Sequence, residues 1–230
     1  MFRLKSGREV LAHCPDDYCC LHIEDLATGE VLTKADARQP ADFFHSRLIA
    51  SPDGRYLASA GWVWHPMDDV NLYSVEEALN DPRHLDGAGL GIKAWADESS
   101  AAFLPNGRLA VALYGIESDE GEATSQGTTE LRVFDTSRPQ ESAIVTAPGR
   151  LGTIISVDNN HVLALYEHPR LMDLRTGSVV QSWPHLASGN RTSSIFGAST
   201  ETPAMAFDPV GRRYAVADAS GITILQFNPD

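Results

Sequence analysis

The segment SPDGRYLASAG at Ser51–Gly61 carries the strongest indication of the fold, because it joins a tight turn directly to a short apolar run. Asp, Asn, Pro and Gly form such turns readily, since they tolerate or preset the backbone angles of a hairpin. Related turns recur as KSG at Lys5–Gly7, LPNG at Leu104–Gly107, VDNN at Val157–Asn160 and DPVG at Asp208–Gly211. From Gly7 through Gly54, Gly107, Asn160 and Gly211 the steps are 47, 53, 53 and 51 residues. A repeat of this length indicates an array of small sheets.

Each turn lies between two apolar runs, and a third run follows at a variable distance. The runs are too short for helices, and their nearly continuous apolar character is typical of strands covered on both faces. Two segments with the pattern D-L-x-T-G-x-V, at Asp25–Val31 and Asp173–Val179, indicate a turn into a fourth strand. The runs cover residues 9–14, 20–26, 44–50, 56–62, 70–75, 100–104, 109–115, 131–136, 153–157, 161–167, 170–174, 204–207, 214–219 and 222–227.

Five such units predict an all-β chain, folded as a β-propeller with five blades of mostly four antiparallel strands. We expect a single domain over residues 1–230, with blades at 1–40, 41–90, 91–147, 148–190 and 191–230. Only three residues follow the last run, Ile222–Phe227. The fifth blade therefore either has three strands or is completed by Phe2–Lys5, which would leave no open sheet edge.

The repeats resemble those of the WD-repeat and WD-like bacterial β-propellers. The similarity rests on SPDGRYLASAG, on LPNGRLAVALYG at Leu104–Gly115 and on LRVFDT at Leu131–Thr136. The Gly-His pair that opens a standard repeat is absent, and the Trp-Asp dipeptide survives only in altered form, as in Phe134-Asp135. The resemblance implies a propeller but no particular function. The usual seven blades do not fit in 230 residues, so either five blades close the ring or the chain pairs with a second copy.

The charge balance narrows the class of partner. The chain has a formal net charge of −13, which disfavours nucleic acid and anionic membranes and favours a basic protein. The N-terminus lacks the apolar core of a signal peptide, and no stretch approaches the about 18 apolar residues of a membrane span. The odd count of three cysteines fits no closed disulfide framework. We expect a cytoplasmic protein, as a monomer or a homodimer.

In a propeller, the long insertions of this sequence would all fall on one rim, and the tight turns would occupy the other. Loops on a rigid scaffold are where binding residues concentrate, so we expect a protein partner to bind the loop-rich rim. Aromatic residues would supply the anchors and acidic residues would steer a basic partner. Alternatively, the aromatic residues cap the gap between blades, and the acidic run at Glu117–Glu122 is a solvated hairpin tip. The candidate binding residues are Trp62, Trp64, His65, Asp68, Asp69, Trp95, Glu117, Asp119 and Glu120.

The sequence predicts no metal site and no cofactor. Cys14, Cys19, Cys20 and His22 lie close together, but Cys-x4-Cys-Cys is not an established ligand spacing. The predicted innermost strands contain no Asp or Glu, and no nucleophile elbow, P-loop or H-E-x-x-H motif is present. These observations predict a non-enzymatic protein-interaction module. A specific version of this hypothesis is an immunity-type inhibitor of a basic toxin.

The alternative function is a five-bladed glycoside hydrolase or a glycan-binding propeller that acts at the mouth of the central channel. Glycoside hydrolases need paired carboxyl groups around the scissile bond. The candidates for such a role lie just upstream of the innermost strands, at Asp42, Asp97, Glu98 and Glu201, although no pattern in the sequence fixes a pair.

Overall fold

The structure is a computed structural model that describes residues 1–36, 38–64, 67–115, 127–191 and 201–228, without the side chain of Trp64. In these ranges, seventeen strands form five antiparallel sheets, numbered here in chain order. Sheet 1 contains β1 (Phe2–Arg3), β2 (Glu9–His13) and β3 (His22–Asp25), and sheet 2 contains β4 (Leu48–Ala50), β5 (Tyr56–Trp64) and β6 (Met67–Ser74). Sheet 3 contains β7 (Glu98–Phe103), β8 (Leu109–Tyr114), β9 (Thr128–Phe134) and β10 (Ser142–Pro148). Sheet 4 contains β11 (Ile154–Ser156), β12 (His161–Ala164), β13 (Arg170–Asp173) and β14 (Val179–Ser182), and sheet 5 contains β15 (Met205–Asp208), β16 (Arg213–Asp218) and β17 (Gly221–Gln226).

The repeated turns join the first two strands of each sheet, as the sequence predicts. Gly7, Gly54 and Gly107 all adopt positive φ, which glycine reaches without steric cost. Gly54 has a second constraint, because a Cβ there would lie 2.0 Å from the Arg3 carbonyl oxygen of sheet 1. In the fifth turn, the residue with positive φ is Arg212 and not the expected Gly211.

The two D-L-x-T-G-x-V segments form matching turns. The Asp25 carboxylate accepts hydrogen bonds from the backbone N–H groups of Ala27 and Thr28, at 2.9 and 3.1 Å. The Asp173 carboxylate accepts the same pair of bonds from Arg175 and Thr176, at 2.7 and 3.2 Å. A short acidic side chain that bonds the backbone two and three residues ahead stabilises such a turn locally. The sequence repeat therefore reflects a repeated hydrogen-bond pattern.

Several boundaries differ from the prediction. The predicted fourth strand of sheet 1 is reduced to a single bridge between Glu24 and Val31. The sequence did not predict β10 or the short helix α1 (Val75–Asn80). Ser74 caps this helix, because its hydroxyl accepts a hydrogen bond from the backbone N–H of Glu77. Phe2–Arg3 pairs with β2 in sheet 1, so it does not complete sheet 5. Among the described residues, sheet 5 has three strands, which agrees with the other predicted possibility.

Four clusters of buried side chains hold the sheets together, one between each consecutive pair. Sheets 1 and 2 share the cluster around Leu21 and Leu57, and sheets 2 and 3 share the cluster around Leu72 and Leu113. Sheets 3 and 4 meet around Leu131 and Met172, and sheets 4 and 5 meet around Leu163 and Tyr214. Among the described residues, no corresponding cluster joins sheet 5 to sheet 1. The sheets therefore form a propeller-like row that is not closed into a ring.

Candidate binding surface

Trp62, Trp64, Asp68 and Asp69 lie in the paired strands β5 and β6, which corrects the prediction of a loop at these positions. β5 has nine residues and β6 has eight, and the pair is joined at Trp62 and Asp68. Two further segments add to its sides, because Phe44 bridges to Trp62 and Asp68 bridges to Ala96. Four backbone segments thus lie side by side at the predicted loop-rich rim. Backbone hydrogen bonds make this platform more rigid than a loop.

One side of this platform carries three aromatic rings in contact. Tyr18, from the loop before β3, stacks on Phe44 with ring centroids 4.2 Å apart. Phe44 meets Trp62 edge to face at 4.6 Å, and the two residues exchange backbone hydrogen bonds of 2.8 and 3.2 Å. Aromatic pairs favour these offset and edge-on geometries. Tyr18 and Phe44 were not among the predicted residues, because only the fold brings them to Trp62.

Gly61 allows the backbone of Phe44 to lie close against β5. A Cβ at this position would lie 2.2 Å from the Phe44 carbonyl oxygen and 2.6 Å from the Phe43 ring. No side chain fits at such distances, so Gly61 is required for the pairing of Phe44 with Trp62. The sequence contains the signal for this site, since a glycine inside a strand pattern indicates a close backbone approach.

Trp95 and Asp69, both predicted, are brought together. Burial raises the pKa of Asp69 to about 6, while the hydrogen bond that the backbone N–H of Val70 donates at 2.8 Å and the nearby side chain of Trp95 counteract this rise. Asp69 is 5% exposed, whereas Trp95 is 56% exposed. The largely exposed indole therefore lies beside a buried carboxyl of the platform.

Asp68 has a different environment from the one expected. It is fully buried, and the Arg47 guanidinium lies 3.1 Å from its carboxylate and also donates to the Ala60 carbonyl oxygen. A charge that is paired and shielded in this way contributes little to the steering of a distant partner. Asp68 and Asp69 therefore support the platform, and the steering role proposed for them does not fit their burial.

A second polar group lies where sheet 3 meets sheet 4. β7 begins at Glu98, which corrects the prediction that the innermost strands lack Asp and Glu. Burial raises the pKa of Glu98 to about 7, and Arg150, 3.3 Å away, opposes the rise. The Arg150 guanidinium also lies over the Tyr114 ring, 4.7 Å from its centroid. A cavity of about 10 Å³ adjoins Glu98, which is room for about one water molecule.

Five of the predicted residues cannot be placed in full. His65, Glu117, Asp119 and Glu120 lie outside the described residues. Trp64 ends β5, but only its backbone is described.

The cysteine group consists of three free thiols. The Cys20 sulfur lies 3.4 Å from His22 Nε2, and the Cys19 sulfur lies 3.8 Å from the Asp42 carboxylate. Burial raises the pKa of all three thiols, that of Cys14 to about 12, so they are poor nucleophiles at neutral pH. In the described ranges, no group of three or more His, Cys, Asp or Glu side chains is arranged to hold a metal ion.

The inner strands surround an open hollow of about 480 Å³ near the rim of the tight turns. Its walls are mostly aliphatic and aromatic. Such walls suit apolar ligands, whereas a sugar site needs several convergent polar groups. The hollow is lined by Ile49, Ala50, Pro52, Ala101, Ala102, Phe103, Pro105, Ile154, Ile155, Ser156, Val157, Phe207, Pro209 and Val210.

No protein-family model and no curated protein matches this chain. Among solved structures, it is similar to a chain in the crystal structure of the mitotic checkpoint complex, with a TM-score of 0.55 and 11% sequence identity. The match covers 97% of this chain and 60% of that chain, so this chain spans about three fifths of its length. Within the described ranges, no helix has the length and apolar character needed to cross a bilayer. The structural likeness concerns the fold alone, and it supports a WD-repeat-like propeller fold for this chain.

Proposed function

We propose that this chain is a non-enzymatic protein-interaction module whose loop-rich rim binds a protein partner. The observation that carries the proposal is the exposed Trp95 indole, which lies beside buried Asp69 on the same platform as the contacting rings of Tyr18, Phe44 and Trp62. Tyr18 is 58% exposed, so two large aromatic side chains face solvent on a hydrogen-bonded scaffold. Preorganised Trp and Tyr side chains are frequent hot spots of protein interfaces.

The finer features of the proposal come from the sequence. The five sheets would act as five blades of one domain over residues 1–230, in a cytoplasmic protein. A net charge of −13 favours a basic partner, and Glu117, Asp119 and Glu120 would steer it. An immunity-type inhibitor of a basic toxin is the specific version. Since Asp68 and Asp69 are buried, the steering charge in this proposal lies in the acidic run and in the net charge.

The glycan alternative receives less support from the geometry. The hollow among the inner strands has a mainly apolar wall. Of the proposed carboxyl groups, Asp42 lies beside Cys19 and Glu98 is paired with Arg150, so these two belong to different clusters. A glycosidase mechanism needs two carboxyl groups that face one sugar.

The test is capture of a partner from the native cell by the immobilised chain, followed by identification and a measured dissociation constant. The double variant Tyr18→Ala with Trp95→Ala removes both exposed rings. Because hot-spot residues each contribute about 2 kcal/mol or more, we expect the dissociation constant to rise at least about a hundredfold. The matched control is Ile144→Ala, an exposed apolar residue on β10 away from the platform.

Circular dichroism and a thermal melt establish that the double variant is folded. A partner bound equally well by wild type and by a folded double variant would contradict the proposed surface. A partner lost equally in the Ile144→Ala control would show that the interface lies elsewhere. If wild type bound no protein but a glycan array gave a specific ligand, the alternative function would replace this one.

A further inference from the structure

Sheet 5 ends the row of sheets with an apolar face that nothing covers in the part of the chain the structure describes. Tyr214 and Leu225 point toward sheet 4, where they join the fourth cluster. Because side chains alternate along a strand, the opposite face carries the remaining positions. Ile222 and Ile224 on that face are 73% and 61% exposed. Together with Ala206, Ala215 and Ala217 they form the apolar centre of what we call the end face, and Asp208, Arg213 and Gln226 complete this face at the end next to the tight turn.

The end face repeats, position by position, a face that is covered elsewhere in the molecule. In sheet 5, Ala206 pairs with Ala215, Ala215 with Ile224, and Ala217 with Ile222. In sheet 3, the same register joins Ala102 to Ala110, Ala110 to Val133, and Ala112 to Leu131. None of these sheet 3 residues is more than 7% exposed, because sheet 4 packs on them. Sheet 5 thus has the composition and register of a face that another β-sheet covers.

Sheet 1 of the same chain does not fit the end face. Its inner-facing residues, such as Val10 and Ile23, pack toward sheet 2. The alternate positions point away and carry two ion pairs, Arg3 with Glu9 at 2.7 Å and His13 with Glu24 at 3.0 Å. Burying such groups against alanine and isoleucine would remove them from water without new partners, which costs several kcal/mol. This mismatch disfavours both closure of the ring and head-to-tail association of copies.

The end face is complementary to itself. The residues at its apolar centre are small on β15 and β16, where they are alanines, and large on β17, where they are isoleucines. A two-fold axis parallel to β16 would lay β17 of each copy over β15 of the other, so that isoleucine packs against alanine. The end face carries one ion pair of its own, Asp208 with Arg213 at 2.6 Å, which lies at one end of the strands and not at the apolar centre, and its two charges balance.

We propose that a second copy of this chain covers the end face, in a two-fold dimer in which sheet 5 packs against sheet 5. The proposal is independent of the rim as a binding surface. Three short strands offer a small contact compared with the about 1,200 Å² or more of standard interfaces, so we expect a weak dimer. Since each copy has a net charge of −13, the two repel at long range and salt strengthens the dimer.

The test is sedimentation equilibrium of the full chain over about 1 μM to 1 mM, at low and at high salt. We expect wild type to dimerise, and more tightly at high salt. The double variant Ile222→Lys with Ile224→Lys keeps side chains that are exposed in the monomer, so its fold is retained, but it places four ammonium groups in the dimer contact. Its dissociation constant should rise at least about a hundredfold. The control Ile144→Lys changes an isoleucine of similar exposure on β10 and should dimerise like wild type.

A cross-linking experiment locates the axis. Ala215→Cys lies on β16 and should be joined to its copy by a short bis-maleimide, whereas Ile144→Cys should not; both variants retain the three native thiols. A wild-type chain that stays monomeric at about 1 mM overturns the proposal. A double lysine variant that dimerises like wild type overturns it as well, because the contact would then lie elsewhere. The proposal is also overturned if a different protein binds the end face while the pure chain remains monomeric.

Discussion

Replacement of Glu98 by Gln should change the pH dependence of stability in a defined window. The Glu98 side chain is 12% exposed, and burial raises its pKa from 4.5 to about 7. Between these values the folded chain holds a proton that the unfolded chain has released. The free energy of unfolding therefore falls as pH rises through this window, and it is independent of Glu98 above and below it.

The magnitude follows from the size of the pKa change. Each pKa unit corresponds to about 1.4 kcal/mol, so ionisation of Glu98 costs the folded state up to about 3 kcal/mol near pH 8. Glutamine stays neutral and removes this cost. We expect the variant and wild type to be similarly stable near pH 4.5, and the variant to be more stable near pH 8 by up to this amount. The loss of the Arg150 ion pair at 3.3 Å reduces the gain.

The assay is urea unfolding at several pH values between about 4.5 and 8, followed by tryptophan fluorescence. Buried Asp69 and His45 also titrate in the acid range, so the difference between variant and wild type isolates Glu98. The control Glu141→Gln alters an exposed glutamate that is paired with Arg138 at 3.0 Å, and it should shift stability by less than about 1 kcal/mol. Parallel pH profiles for wild type and Glu98→Gln would refute the reasoning.

Three further changes test the packing of the platform and of the core. Gly61→Ala should destabilise the chain by about 1–3 kcal/mol, because its Cβ would lie 2.2 Å from the Phe44 carbonyl oxygen; Gly87→Ala, with no atom within 4 Å, is the matched control in urea unfolding. Trp95→Phe removes the indole N–H and should raise the pKa of Asp69 above about 6 in a carboxyl NMR titration; an unchanged pKa would show that the indole does not stabilise the Asp69 carboxylate. Leu131→Ala, at a fully buried position between sheets 3 and 4, should lower the free energy of unfolding by about 2–5 kcal/mol. The control Val180→Ala, at a 54% exposed position, should lower it far less, and equal losses would show that this cluster does not stabilise the fold.

The strands and turns could be predicted from the sequence because their causes are local. A turn such as Ser51–Gly54 forms from a few adjacent residues. In the two D-L-x-T-G-x-V turns, the equivalent carboxylates of Asp25 and Asp173 accept hydrogen bonds from the backbone N–H groups two and three positions ahead. The apolar runs then mark the strands. Helix α1 was missed because its sequence is short and its buried residues, Val75 and Ala78, pack against a cluster formed by other segments.

Contacts between residues far apart in the chain could not be predicted in this way. The sequence identified Trp62 and Trp95 as candidate binding residues. The rings of Tyr18 and Phe44 contact each other and Trp62 only because the fold brings distant segments together. Arg150 lies 52 residues from Glu98 in sequence and 3.3 Å from it in space. Burial and pKa depend on such contacts, so no local pattern indicates them.

The sequence by itself determined the number of sheets, their order and the turns within each, because turns and short apolar runs depend on a few adjacent residues. The tertiary structure decided which faces are covered. It buries Asp68 and Asp69 within the platform, leaves the row of sheets open, and exposes Ile222 and Ile224 although their register repeats a covered face of sheet 3. Coverage of a face depends on what another part of the chain, or another chain, places against it, and this is a long-range property.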